Sequence, residues 1–174
     1  MNKFLLYILF STILSNSLQD IFDNAGPENG YDKYIILDPN EIYDGSFYNF
    51  DYKTYINCQG STIDLNNGAG ISIYADEYYN GSLDIEYCTI YNGSENWGID
   101  YAGTSTGNIT NCNFVSNKIG LTLHDSSYVV LKNSNFIDND TYGLALITEI
   151  PILEVSYSNF YENFEGDCME NCPG

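Results

Sequence analysis

His124 is the chain's single histidine, and it stands beside Asp125. Together with Asp100 these residues are the best candidates for acid–base chemistry, because glycosidic hydrolysis needs one carboxyl group as acid and a second as base or nucleophile, about 5 to 9.5 Å apart. Asp100 and His124 fall at outward positions of short alternating runs, with Asp125 just beyond. If those runs lie on neighbouring turns of a repeat, a three-residue offset along the strand puts the two carboxyl groups roughly 11 Å apart. That separation is marginal for hydrolysis. The alternative is a solvated face carrying ordinary polar residues.

Aromatic side chains offer a different chemistry. Among seventeen tyrosines, Tyr74, Tyr91 and Tyr161 are predicted to be exposed and to stack on sugar rings while their hydroxyls bond. Tyr91 and Tyr161 flank Val115 and Ile137 in a partly apolar stripe that suits a carbohydrate or a protein partner, unless the N-terminal leader covers it. Of five cysteines, Cys168 and Cys172 are the expected disulfide. Cys88 and Cys112, one repeat apart, are expected to be stacked buried thiols, since in-register side chains point the same way. No metal centre is predicted, because His124 is remote from the C-terminal cysteines and zinc prefers four nitrogen or sulfur ligands. No cofactor is expected; calcium is the one candidate ion, with Asp138 and Asp140, or Glu165, Asp167 and Glu170, offering oxygen ligands. Of the Asn-x-Ser/Thr sequons at Asn80, Asn92, Asn108 and Asn139, the expected glycan acceptors are Asn80 and Asn92, and Asn139 is expected to be protected by burial.

Composition narrows the partners. Against 24 acidic residues stand five lysines and no arginine, for a net charge of -19. Nucleic-acid backbone and anionic lipid both require a cationic surface, so neither is a partner. Residues 1–17 have the layout of a secretory signal peptide: Lys3, an apolar run from Phe4 to Leu14, then Ser15, Asn16 and Ser17. The run is too short to span a bilayer, which takes about 20 residues, and no later segment is long and apolar enough to do so. A secreted or surface location follows as the expectation.

The elements that position these groups come from a repeat. I-E-Y-C-T-I begins at Ile85, I-T-N-C-N-F at Ile109, L-K-N-S-N-F at Leu131 and V-S-Y-S-N-F at Val155, and an earlier copy, C-Q-G-S-T-I, begins at Cys58. Each continues to a glycine (Gly70, Gly98, Gly120, Gly143) and a second alternating run; the last copy keeps Gly166 and loses the run. Alternation over three to five residues bounded by Gly, Asn and Ser is a strand signature. A unit this small cannot bury its apolar face alone and must stack on its neighbours, about 4.8 Å away. Ile63, Ile90, Phe114, Phe136 and Phe160 then form an internal column. Cys88, Cys112, Ser134 and Ser158 form a column of small residues, and Asn113, Asn135 and Asn159 one corner ladder, with Asn117, Asn139 and Asn163 as a second.

The I-x-N-C-x-F-x-x-N…G-L/I unit resembles the right-handed parallel β-helix repeat of the pectin-lyase-like superfamily, over about residues 54–166. The resemblance implies an all-β chain: a short right-handed parallel β-helix of five to six coils over residues 34–166. Residues 18–33 are then a polar leader or N-terminal cap, and residues 167–174 a C-terminal cap or truncation point. It also implies that catalysis, where present, is polysaccharide cleavage. The family's lyases pair acidic residues and calcium with a nearby basic group, and here Lys118 and Lys132 do not converge with an acidic cluster. Three functional readings follow: binding of a glycan or an extracellular protein without chemistry, a carbohydrate-active enzyme working through Asp100 and Asp125, or a structural β-helix without activity.

Overall fold

A computed structural model describes residues 16–169. Three parallel sheets run the length of the molecule, so the chain winds as a β-solenoid of about six coils. The first sheet comprises Lys33–Ile36, Lys53–Asn57, Ser82–Glu86, Thr106–Thr110, Tyr128–Lys132 and Ile152–Ser156. The second runs from Asn16–Ser17 through Ile42–Asp44, Thr62–Asp64, Thr89–Tyr91, Asn113–Val115 and Asn135–Ile137 to Asn159–Tyr161. The third comprises Tyr48–Asn49, Ile71–Ala75, Trp97–Gly103, Ile119–Leu123, Tyr142–Leu146 and Gly166–Met169. The strands therefore extend slightly beyond the expected span of 34–166, and Asp167 to Met169 are sheet rather than cap.

Stacking puts like on like. Ile63, Ile90, Phe114, Phe136 and Phe160 pair in register, and the Phe114–Phe136 and Phe136–Phe160 rings lie parallel with centroids 4.7 and 4.9 Å apart. The glycine column is required by that stack. A Cβ on Gly120 would lie 2.5 Å from the Gly143 carbonyl oxygen and 2.6 Å from the Phe136 ring, closer than packed atoms approach.

The two asparagine ladders differ in kind. In the first, Asn135 Nδ2 donates to Asn113 Oδ1 at 2.8 Å and Asn159 Nδ2 to Asn135 Oδ1 at 3.1 Å, on half-buried to exposed strand residues. The sequence places these asparagines at corners, and the structure instead makes them strand residues; the left-handed corner positions are Tyr87, Asn111, Asn133 and Tyr157, two residues earlier than each strand start. The second ladder is buried, with Asn117 and Asn139 at 0% and 1% exposure. Asn139 Oδ1 accepts from both the backbone and side-chain amides of Asn117, while Asn139 Nδ2 donates to the Phe114 carbonyl and to Asn163 Oδ1.

Two registers differ from the sequence reading. Ile56, not Cys58, takes the aliphatic position over Ile85, because that corner holds extra residues around Gln59 and Gly60. Cys58 thereby enters from the corner, offset from the small-residue column, and forms a disulfide with Cys88 across a Cα–Cα distance of 4.9 Å. Cys88 is therefore not the stacked thiol expected; Cys112 is, free and buried. At the other end Gly166 pairs with Tyr142 and Cys168 takes the Leu144 position, so the last coil continues the third sheet instead of losing it. Cys168 is disulfide-bonded, and Cys172 lies outside the described residues.

The N-terminal end is closed by the helix Leu18–Asn24, capped by the Ser17 hydroxyl, which accepts from the Asp20 amide. Leu18 and Phe22 are buried, and Phe22 stacks on Phe47 at 4.4 Å. Lys33 finishes the cap: its ammonium donates to the Asp23 and Ala25 carbonyls and lies 4.9 Å from the centre of the Tyr52 ring. Asn16 and Ser17 pair with Tyr43 and Asp44, so the expected leader boundary at Ser17 cuts into this end of the fold; the rest of the expected signal peptide lies outside the described residues. Of the leader residues, the helix Leu18–Asn24 and Lys33 close the end of the solenoid and Tyr31 packs on the first sheet, away from the Tyr91–Tyr161 stripe on the second.

Replacing Asn139 by alanine strands two donors and a carbonyl in the interior, so an expected loss of about 2–4 kcal/mol in denaturant unfolding contrasts with under about 1 kcal/mol for Asn135→Ala in the outer ladder. Cys112, whose thiol is pushed up to about 12 by burial, is expected to resist iodoacetamide in the native protein and to be labelled only in denaturant, as peptide mass spectrometry would show.

Candidate functional site

Outward side chains of the first sheet stack in columns. Tyr34 lies over Tyr55, Tyr55 over Asp84 and Asp84 over Asn108; one step along the same face, Asn57 lies over Glu86 and Glu86 over Thr110. Alternation explains the pattern, since Asp84 and Glu86 flank buried Ile85 and so share one face. Tyr31, from the turn before the first strand, folds over this face. The Tyr34 and Tyr55 rings stack at 4.9 Å, and Tyr31 packs on Tyr55 at 5.3 Å.

The tyrosines and carboxylates hold one another. Tyr31 donates to Asp84 Oδ2 at 2.6 Å, and the Asn108 backbone and side-chain amides donate to Asp84 Oδ1, each at 2.8 Å. Tyr55 donates to Glu86 Oε1, which also accepts from Asn57 Nδ2 at 2.9 Å. Burial and the carboxylate bonds raise both phenols, Tyr31 strongly and Tyr55 to about 12. Tyr31, Tyr55, Asp84, Glu86, Asn108 and Thr110 line an open groove of about 180 Å³. Every donor to the two carboxylates is neutral.

A second depression of about 410 Å³ adjoins it where the same strands begin, lined by residues that include Asp32, Lys53, Asp76, Tyr79 and Asn80. Beside it Phe50 gathers Tyr74 and Tyr79 at 6.1 and 5.8 Å, and Tyr74 donates to Asp76. Tyr74 thus belongs to an aromatic cluster. Tyr91 and Tyr161 lie elsewhere, on the second sheet, paired with Val115 and Ile137 as the stripe requires. The three tyrosines singled out by sequence do not form one site.

Asp100 and His124 are brought together on the third sheet. His124 Nε2 lies 3.0 Å from Asp100 Oδ1, and Thr122 donates to the same oxygen. Asp100 is 7% exposed although its column faces outward. The hydrogen bond from His124 to Asp100 raises the imidazole's pKa against the opposing effect of burial. A groove of about 180 Å³ beside it is lined by residues including Trp97, Lys118, Thr122, His124 and Ile147. Asp125 is not among them: it sits at a left-handed corner and accepts from the Gly103 amide at 3.1 Å. Of the sequons, Asn80 is exposed, Asn92 and Asn108 donate through their side chains to Asp64 and Asp84, and Asn139 is buried in its ladder.

The family model described as right handed beta helix region matches residues 82–172, more than half of the chain. The chain belongs to this family. No curated protein and no solved structure matches it. The match establishes the fold of this β-helix protein and its handedness; the chemistry rests on the side chains. Sequence reasoning missed Tyr31, Tyr34, Tyr55, Asp84 and Glu86. The signal was present in Tyr55-Ile56-Asn57 and Asp84-Ile85-Glu86, which align once Ile56 rather than Cys58 is set over Ile85.

Because His124 is the single histidine, its ring resonance reports its titration directly. A pKa above 6.5 is expected by NMR, falling on Asp100→Asn. A raised imidazole pKa means that the pair's contribution to stability is whole below about pH 6.5 and is lost as pH rises through the folded-state value. Asp100→Asn should therefore flatten the stability profile there.

Proposed function

We propose that this β-helix protein binds glycan chains on its outer surface without cleaving them, and that the groove walled by Tyr31 and Tyr55, with Tyr34 stacked on Tyr55, is the principal site. The observation that carries this reading is the fixed array of aromatic rings beside carboxylate and amide groups in an open groove. Sugars present apolar ring faces and rims of hydroxyls, so an aromatic wall with adjacent acceptors and donors matches both. Pre-organisation adds to this, because Tyr31, Tyr55, Asn57 and Asn108 already hold the carboxylates in place and little side-chain freedom is lost on binding. The leader layout of residues 1–17 and the Cys58–Cys88 disulfide support an extracellular setting, and exposed Asn80 is the acceptor best placed for a glycan of its own. The Tyr91–Val115–Ile137–Tyr161 stripe supports contact with an extracellular protein as a secondary role.

A second reading, carbohydrate cleavage, is favoured by one observation: the ion pair of His124 with buried Asp100 beside a groove holding Trp97 and Lys118. Glycan-array screening followed by calorimetry separates the two. Tyr31→Ala and Tyr55→Ala are expected to weaken binding tenfold or more, about 1.4 kcal/mol each, while Asp100→Asn leaves affinity unchanged and no reducing ends appear. Release of reducing ends that Asp100→Asn abolishes would instead establish the enzyme.

A further inference from the structure

The geometry points to a ligand that carries an ammonium group, and we propose that the glycan recognised in the tyrosine groove is an unacetylated amino sugar; this rests on the groove being the glycan site. Asp84 and Glu86 are adjacent outward residues of one strand, about 7 Å apart along it. They accept hydrogen bonds only from phenols and amides. Among the described residues the one ion pair is His124 with Asp100, so neither carboxylate in the groove is in an ion pair with a cation of the protein.

The tyrosines supply the second half of an ammonium site. Aromatic faces attract cations through the ring quadrupole, and this molecule uses that attraction here already: the Lys53 ammonium stands 4.6 Å from the centre of the Tyr31 ring. Lys53 itself lines the adjoining depression, not the groove, so Asp84 and Glu86 remain open to an incoming cation. A metal ion suits the site poorly. Calcium takes six to eight oxygen ligands, and here both Asp84 oxygens and Glu86 Oε1 are already engaged by hydrogen bonds. An organic ammonium needs fewer contacts, and its attached sugar ring uses the aromatic wall. A net charge of -19 attracts such a ligand from a distance and repels polyanionic glycans.

Calorimetry with three probes tests this: a β-1,4-linked glucosamine hexasaccharide, its fully N-acetylated counterpart and the uncharged glucose hexasaccharide of the same linkage. The amine-bearing probe is expected to bind at least tenfold more tightly than either other, with affinity falling as salt rises. Glu86→Gln, which keeps the one oxygen that accepts from Tyr55 and Asn57, and Asp84→Asn, which keeps the oxygen that accepts from Asn108 and gives up the one that accepts from Tyr31, are each expected to reduce that preference at least fivefold. The double variant Asp138→Asn/Glu162→Gln, which removes two charges from exposed corners beside the second sheet, is expected to leave it intact. Equal binding of all three probes overturns the ammonium inference and leaves glycan binding standing. Binding of none overturns both. A remote double variant as damaging as Glu86→Gln also overturns the inference, since it makes the attraction a general property of the acidic surface.

Discussion

The buried asparagine ladder fixes the relation of one coil to the next. At each second corner the chain leaves the strand through a left-handed residue, as at Asn92, Ser116, Asp138 and Glu162, and buries the backbone that follows. Those amides and carbonyls cannot reach water or a regular strand partner, and an unpaired buried group costs about 1–3 kcal/mol. Asn117 and Asn139 resolve this with both ends of the side chain, accepting from the preceding coil with the oxygen and donating to its carbonyl with the nitrogen. A slip of one residue would strand all of these groups at once and turn the apolar faces outward. Register is therefore determined by polar satisfaction in the interior as well as by the Phe114–Phe136–Phe160 stack.

Legibility in the sequence followed the same physics. The phenylalanine, glycine and asparagine columns could be read because identical residues recur where stacking demands one shape, as at Gly98, Gly120 and Gly143. The corner at Cys58 could not, because the preceding coil carries extra residues there and a small residue follows at Ser61, which produced a plausible but shifted alignment. That shift hid both the Cys58–Cys88 disulfide and the placing of Tyr55 over Asp84. Tyr31 was illegible for another reason: it reaches the first sheet from a turn whose only regular feature is an isolated bridge to Glu28. Burial of Asp100 on an outward column was also invisible, since His124 and Thr122 cover it from neighbouring positions rather than through any periodic pattern.

The acidic composition raises its own question, because parallel stacking places outward carboxylates one coil apart, as Asp44 over Asp64. Lysine does not neutralise these charges: Lys33 is spent on the helix cap and Lys53 on a tyrosine face. Neutral donors do the work instead. Asn92 donates to Asp64, Asn108 to Asp84, Asn57 to Glu86, and Tyr128 to Glu154. A hydrogen bond to a charged acceptor is stronger than one between neutral groups, so each carboxylate is locally held while its charge persists outside the molecule. Orientation is thus fixed without neutralisation.

The position of the tyrosine groove within the solenoid follows from where the repeat is least regular. The family match covers residues 82–172, the part in which columns of like residues satisfy one another and leave few groups free. Tyr31, Tyr34 and Tyr55 lie before it, where coils vary in length and the N-terminal helix has to be accommodated. A regular column constrains every member to the shape of its neighbours, whereas an irregular coil can place an aromatic ring without repeating it in the next turn. The regular coils contribute Asp84, Glu86 and Asn108 as a rigid floor, and the irregular ones contribute the wall. The groove at the junction of the two combines a floor that stacking holds still with a wall free to differ in composition, so a monotonous architecture carries one locally distinct surface.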